Sequence, residues 1–251
     1  MAVVEIKGVR IGQGMPKICV PLVGQVDHEL VEQAISASHS DCDMVELRID
    51  YYNEVNDTKR VMDLLRKIRE SIKLPILFTF RTIKEGGNRA ISIDDYKNLY
   101  ETVLESHTVD LIDLELNLGV DFIKPLINRA KNEGVKVVLS NHDFKKTPTT
   151  KEIIARMVRM QELGADLPKI AVMPETKMDV LRLMEAILYM NENYSQTPVV
   201  GISMGELGMP SRVLGSWLGS AITFGVVEHA SAPGQISTEY LHQVLQLLEY
   251  K

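Results

Sequence analysis

Eight short apolar, β-branched runs, each followed by a longer segment of helical period, recur along the 251 residues of this chain. They read as strands at about 17–23 (KICVPLV), 43–49 (DMVELRI), 75–81 (PILFTFR) and 109–116 (VDLIDLEL). The remaining four fall at 135–141 (VKVVLSN), 167–173 (LPKIAVM), 198–203 (PVVGIS) and 220–225 (SAITFG). Their starts lie roughly 23 to 35 residues apart, the span of one strand–helix unit. Between them, Ile153, Ile154, Met157 and Val158 share one helical stripe in 150–163. Gly134 and Gly164 are placed to cap the helices 121–133 and 150–163. Eight such units, with no linker and no break in composition, predict an α/β fold: one closed (β/α)8 barrel over residues 1–251. Two short alternating runs around Lys7-Gly8 predict a hairpin over about 1–14 that closes the bottom of the barrel. An open doubly wound sheet is the competing topology, but it leaves strand edges, and no GxGxxG follows the first strand.

Charge and cysteine usage narrow the class. A net charge of −6 gives no general attraction to nucleic acid or an anionic membrane. No apolar run approaches the roughly 18 residues of a membrane helix, and MAVVEIKGVRIGQGMPK lacks the pattern of a signal peptide. Cys19 and Cys42 form neither a disulfide framework nor a metal-ligand spacing, so reduced thiols in a soluble, cytoplasmic protein are expected.

Strand alternation sorts inward from outward residues. Val45, Leu47 and Ile49 form one face, which leaves Glu46 and Arg48 on the other. By the same rule Thr79 and Arg81 oppose Ile76, Phe78 and Phe80, while Asp113 and Glu115 oppose Ile112, Leu114 and Leu116. Val138, Ser140 and His142 fall together, and Lys169 shares a face with the small Ala171. Ionisable groups from five strands therefore converge on one cavity, most of them late in their strands, where barrels of this kind carry their chemistry. A buried carboxylate–arginine pair is a structural alternative for Glu46–Arg48 and for Asp113 or Glu115. Burying this many charges for stability alone is a poor solution.

Two residues point to a reaction. A lysine inside LPKIAVM loses water, and it is therefore snorkelling, paired, or kept reactive as an amine. A desolvated amine condenses with a ketone or aldehyde, and the protonated imine acidifies the neighbouring C–H. Of six histidines, His28, His39, His107, His229 and His242 fall in helices or connections, whereas His142 closes a strand and suits general acid/base work. HxH, HExxH and Cys/His clusters are missing, so neither a metal nor a cofactor is expected. Lysine plus histidine suggests imine-based elimination or aldol cleavage, and arginines at strand ends suggest a substrate carrying carboxylate or phosphate. From the residues alone, Glu85 and Ser231 read as solvated loop positions, and Arg212 as a phosphate clamp or a surface charge. Met204 reads as pocket lining, Met157, Met160 and Met184 as helix core, and Gly201, Gly205 and Gly208 as a possible phosphate cradle.

VELRID (45–50), FTFRTIKEGG (78–87), SNHDF (140–144), LPKIAVM (167–173), GISMGELGMPSR (201–212) and SAPGQIS (231–237) together resemble type I 3-dehydroquinate dehydratase, in order along nearly the whole chain. The resemblance implies a TIM barrel that dehydrates 3-dehydroquinate to 3-dehydroshikimate in the shikimate pathway, typically as a homodimer. It implies that Lys169 forms an imine with the C3 ketone and that His142 moves protons at C2 and the C1 hydroxyl. Glu85 would hold and polarise His142, and Arg212 would clamp the substrate carboxylate. Glu46, Arg48 and Arg81 would fix ring hydroxyls, and Ser231 and Gln235 would sit in a closing lid with Ala232, Pro233 and Gly234. A class I aldolase or transaldolase remains the enzyme alternative, and a catalytically silent binding barrel the non-enzyme one.

Overall fold

The predicted alternation closes into a ring in the computed structural model, which describes residues 3–227 and 234–249. A leading hairpin, β1 (Val4–Ile6) and β2 (Val9–Ile11), precedes β3 (Lys17–Leu22), α1 (Asp27–Ser38), β4 (Met44–Arg48) and α2 (Thr58–Ser71). Then follow β5 (Ile76–Thr79), α3 (Ile93–Glu105), β6 (Leu111–Glu115), α4 (Val120–Asn132), β7 (Lys136–Asp143) and α5 (Thr150–Leu163). The second half carries β8 (Leu167–Val172), α6 (Lys177–Asn193), β9 (Val200–Ser203), α7 (Met209–Val213), α8 (Gly215–Leu218) and β10 (Ile222–Val226). A short β11 (Ile236–Ser237) and α9 (Thr238–Leu247) end it.

Strands β3 to β9 pair in sequence order, all parallel, and β10 returns to pair with β3. The seam between β9 and β10 is the sparsest. It rests on a Val199–Ser220 bridge, with Ala221 N donating to Val199 O at 2.8 Å. Ser220 Oγ accepts the Gly201 N–H at 3.1 Å, so a side chain satisfies a donor the ladder leaves open. Among the described residues the ring of strands β3 to β10 has no free edge to protect, which is the physical advantage of closure over an open sheet.

Outward residues such as Val45, Leu47, Phe78, Ile112, Leu114 and Leu139 pack under the helices, as alternation requires. Met157, Met184 and their neighbours fill the space between α5, α6 and β8, and Met160 joins the larger core beside it. Inside the ring, Cys19, Met44, Leu77, Leu111, Val138 and Leu167 form an apolar floor, and Val4, Ile6 and Ile11 of the hairpin pack into it. The hairpin turns through Lys7 and Gly8, both left-handed (φ 48° and 82°), which is the two-residue turn that matches strand twist. Thr149 and Thr176 close capping boxes at the starts of α5 and α6. Gly164 caps α5 in the left-handed region as expected, whereas α4 ends on Glu133 with Gly134 one residue beyond. Among the described residues, no helix is long and apolar enough to cross a membrane.

Ile11 is wholly buried at the floor. Ile11→Ala is expected to cost about 2–4 kcal/mol of stability, read as a lower urea midpoint with an unchanged slope. A midpoint equal to that of the parent would show that the hairpin does not seal the core.

Candidate active site

Above the apolar floor the inward positions turn polar. Parallel pairing sets Thr79 beside Asp113, Glu115 beside Ser140, and Ser140 beside Lys169, so carboxylates, hydroxyls and an amine share one storey of the barrel. Lys169 does not snorkel; it keeps 5% of its surface. Its Nζ lies 3.7 Å from Glu46 Oε1, 3.7 Å from Asp113 Oδ2 and 4.4 Å from the centre of the Phe224 ring. Each carboxylate is oriented in turn. Thr79 Oγ1 donates to Glu46 Oε1 at 2.9 Å, and Ser140 Oγ donates to Asp113 Oδ1 at 2.6 Å. The buried ammonium is thus paired rather than misplaced.

His142 Nδ1 meets Glu85 Oε2 at 2.9 Å, and the same oxygen accepts the His142 backbone N–H at 2.9 Å. Asn117 Nδ2 donates to the other Glu85 oxygen at 2.8 Å. Glu85 therefore fixes the ring and leaves Nε2 as the atom available for proton transfer. Far from being a solvated loop residue, Glu85 is buried, because the chain turns inward at the Ile83–Glu85 helical turn that follows β5. Two glycines make that turn possible. A Cβ on Gly86 (φ +84°) would fall 2.3 Å from the Phe144 ring, and one on Gly87 would fall 1.8 Å from Arg81 O. Burial, reinforced by the negative charge of Glu115, raises the Glu85 carboxyl to about 8. Burial, then the cations Arg81, Lys169 and Arg48, push the His142 imidazole well below its ordinary value. A neutral imidazole, ready to act as a base, is the consequence.

Arg81 ties the cluster together. Its guanidinium reaches Asp113 Oδ2 at 2.9 Å, Glu115 Oε1 at 3.1 Å and Ser140 Oγ at 2.9 Å, with Glu85 Oε2 at 3.9 Å. Burial alone would lower its pKa, but the charges of Asp113, Glu115 and Glu85 hold it well above the ordinary value. Arg48 pairs with Asp50 through two bonds of 2.9 Å, and not with Glu46, the partner its place on the strand suggests. Asp50 sits one turn past the strand end, where both guanidinium nitrogens can reach it.

Arg212, on α7, is buried rather than a surface charge, and burial lowers it to about 10, so it stays cationic at neutral pH. A single cleft is lined by Glu46, Arg48, Arg81, Glu85, His142, Lys169, Met204, Arg212 and Gln235. Nine of the ten residues singled out from the sequence thus meet in one place; Ser231 lies outside the described residues, as do His229, Ala232 and Pro233. Phe144, Ile202 and Phe224 add an apolar wall that was not anticipated. Phe224 and Ile202 carry a legible signal, since both alternate inward on their strands, and Phe144 closes the SNHDF motif, whereas Asn117 lies beyond its strand end and carries none. Among the described residues, no group of three His, Cys, Asp or Glu side chains is placed to hold a metal ion.

Because the folded-state pKa of His142 is depressed, its burial contributes stability that is present above about pH 6.5 and lost as the pH falls through the lower folded value. At pH 6 the imidazole is expected to give the ¹⁵N shifts of a neutral ring. A titration midpoint at or above the free-histidine value would contradict this.

The model of the family described as Type I 3-dehydroquinase matches residues 18–251. The chain is 45% identical to the 3-dehydroquinate dehydratase of Clostridioides difficile (strain 630), over 98% of this chain and 96% of that one. A crystal structure of a Clostridium difficile type I 3-dehydroquinate dehydratase, with covalently modified comenic acid, superposes with a TM-score of 0.96 at 45% identity, covering 98% of both chains. That of the 3-dehydroquinate dehydratase from Enterococcus faecalis gives 0.93 at 43% identity, over 98% of this chain and all of the other. With a TIM barrel whose inward charges stand where the sequence motifs fall, and with relatives this similar along their full length, the chain belongs to the type I 3-dehydroquinase family.

Proposed function

We propose that this protein dehydrates 3-dehydroquinate to 3-dehydroshikimate through an imine on Lys169, with His142 as general acid and base. The observation that carries this reading is a buried lysine and a carboxylate-anchored neutral histidine lining the same cleft.

The Lys169 amine adds to the C3 ketone, and loss of water leaves a protonated imine whose positive charge lies between Glu46 and Asp113. That charge acidifies the C2 proton, which His142 Nε2 removes as Glu85 stabilises the imidazolium through Nδ1. The electron pair moves to C1–C2 and the C1 hydroxyl departs, protonated by the same imidazole. Water then hydrolyses the imine, releasing 3-dehydroshikimate and the free lysine, so that one water is lost overall. Arg212 clamps the carboxylate, while Glu46, Arg48 and Arg81 meet or orient the ring hydroxyls. Gln235 closes the cleft from the last loop, and Ser231 is assigned to the same lid by resemblance. Met204 supplies apolar contact beneath the ring. The reading also includes one domain over 1–251, a homodimer, cytoplasmic location and independence from metals, the first of these supported by the packing of the hairpin into the barrel floor.

Borohydride added with 3-dehydroquinate is expected to inactivate the enzyme and leave a substrate-derived mass on the peptide holding Lys169. Lys169→Ala should abolish it, and labelling elsewhere would reject the nucleophile. His142→Ala should still form an adduct but lower kcat by about 10²–10⁴, and full turnover would rule out the base. An aldolase would release an aldehyde; here a conjugated enone absorbing in the near ultraviolet should be the sole new carbonyl product.

A further inference from the structure

The amine of Lys169 is held by three contacts, and none is short. Both carboxylate oxygens lie at 3.7 Å, within ion-pair range but beyond hydrogen-bond length, and among the described residues the nitrogen makes no hydrogen bond. The third contact is the face of Phe224, 4.4 Å from ring centre to nitrogen, well inside the distance at which a ring quadrupole attracts a cation. Phe224 is buried on β10, across the barrel seam from β9, in the apolar cluster that holds Ala171, Ile202 and Met204. A merely space-filling residue at this position need not turn its face to a charge.

We propose that Phe224 is a positioning residue for Lys169. Its ring face is the uncharged third support of the nitrogen. It balances the pull of Glu46 and Asp113 and keeps the nitrogen from collapsing onto either one as a short ion pair. The balance matters because a short charge-assisted bond would have to break before the nitrogen could attack a carbonyl. The imine nitrogen is also a cation, so the same face supports it after the bond has formed. The ring lines the cleft together with Lys169. This inference rests on the imine reading given above, but its physical content is a property of the unliganded protein.

The test replaces Phe224 by 4-fluoro-, 3,5-difluoro- and 3,4,5-trifluorophenylalanine, which strip negative potential from the ring face while nearly keeping its shape. In the full-length, unliganded protein, acetylation of Lys169 by acetic anhydride at fixed pH is followed by peptide mass spectrometry and normalised to the exposed Lys145 and Lys146. The rate is expected to fall stepwise, by about fivefold at three fluorines, as the nitrogen loses its third support and settles onto a carboxylate. A flat or rising series overturns the proposal, and so does a fall that does not follow fluorine number. In a second arm, borohydride trapping with 3-dehydroquinate should fall in the same order. Absence of trapping in the parent protein would sink the imine reading alone, and the acetylation series would still decide the role of Phe224.

Discussion

Arg81 is the ion on which the upper half of this barrel depends. Five carboxylates crowd the inward face above the apolar floor: Glu46, Asp50, Glu85, Asp113 and Glu115. Without cations among them, their repulsion and lost hydration would each cost several kcal/mol. Arg81 spans Asp113 and Glu115 and approaches Glu85, while Arg48 takes Asp50 and Lys169 lies between Glu46 and Asp113. Removing the guanidinium would leave several buried charges unpaired at once. The arrangement is a network whose members cannot be valued one at a time.

That network sets the electrostatics of the site. Glu85 is raised because burial and Glu115 outweigh Arg81, and His142 is depressed because burial is joined by three cations. The two shifts are coupled parts of one hydrogen-bonded pair. An imidazole kept neutral, a paired amine and a cationic Arg212 then coexist within a few residues of strand ends. Chemistry sits at the carboxyl ends of the strands for a geometric reason. The lower interior is filled by Met44, Leu77, Leu111 and the hairpin, which leaves the upper storey as the part of the barrel interior open to a ligand among the described residues.

The Glu85 turn shows how little of such a site is local. Its two glycines admit Phe144 on one side and the Arg81 carbonyl on the other, and Asn117 arrives from the end of β6 to fix the carboxylate. None of these partners is near Glu85 in the pattern of the sequence apart from Arg81. Arg48 makes the same point in reverse. Alternation places it beside Glu46, but a planar fork takes the carboxylate with the better angle, which is Asp50.

The eight-fold alternation of strand and helix by itself determined the barrel, since burying eight apolar strands under amphipathic helices without a free edge has one compact solution. Period-two patterning also determined that Glu46, Arg48, Arg81, Asp113, Glu115, His142 and Lys169 face inward, because a strand gives side chains only two sides. The motifs carried Glu85, Arg212 and Gln235, which no periodicity reaches. The tertiary structure alone decided the pairings: which carboxylate holds which cation, that Glu85 is buried, and that Phe224 turns its face to Lys169. Periodicity in sequence fixes direction, whereas distance and angle between side chains depend on strand stagger and loop closure around the whole ring.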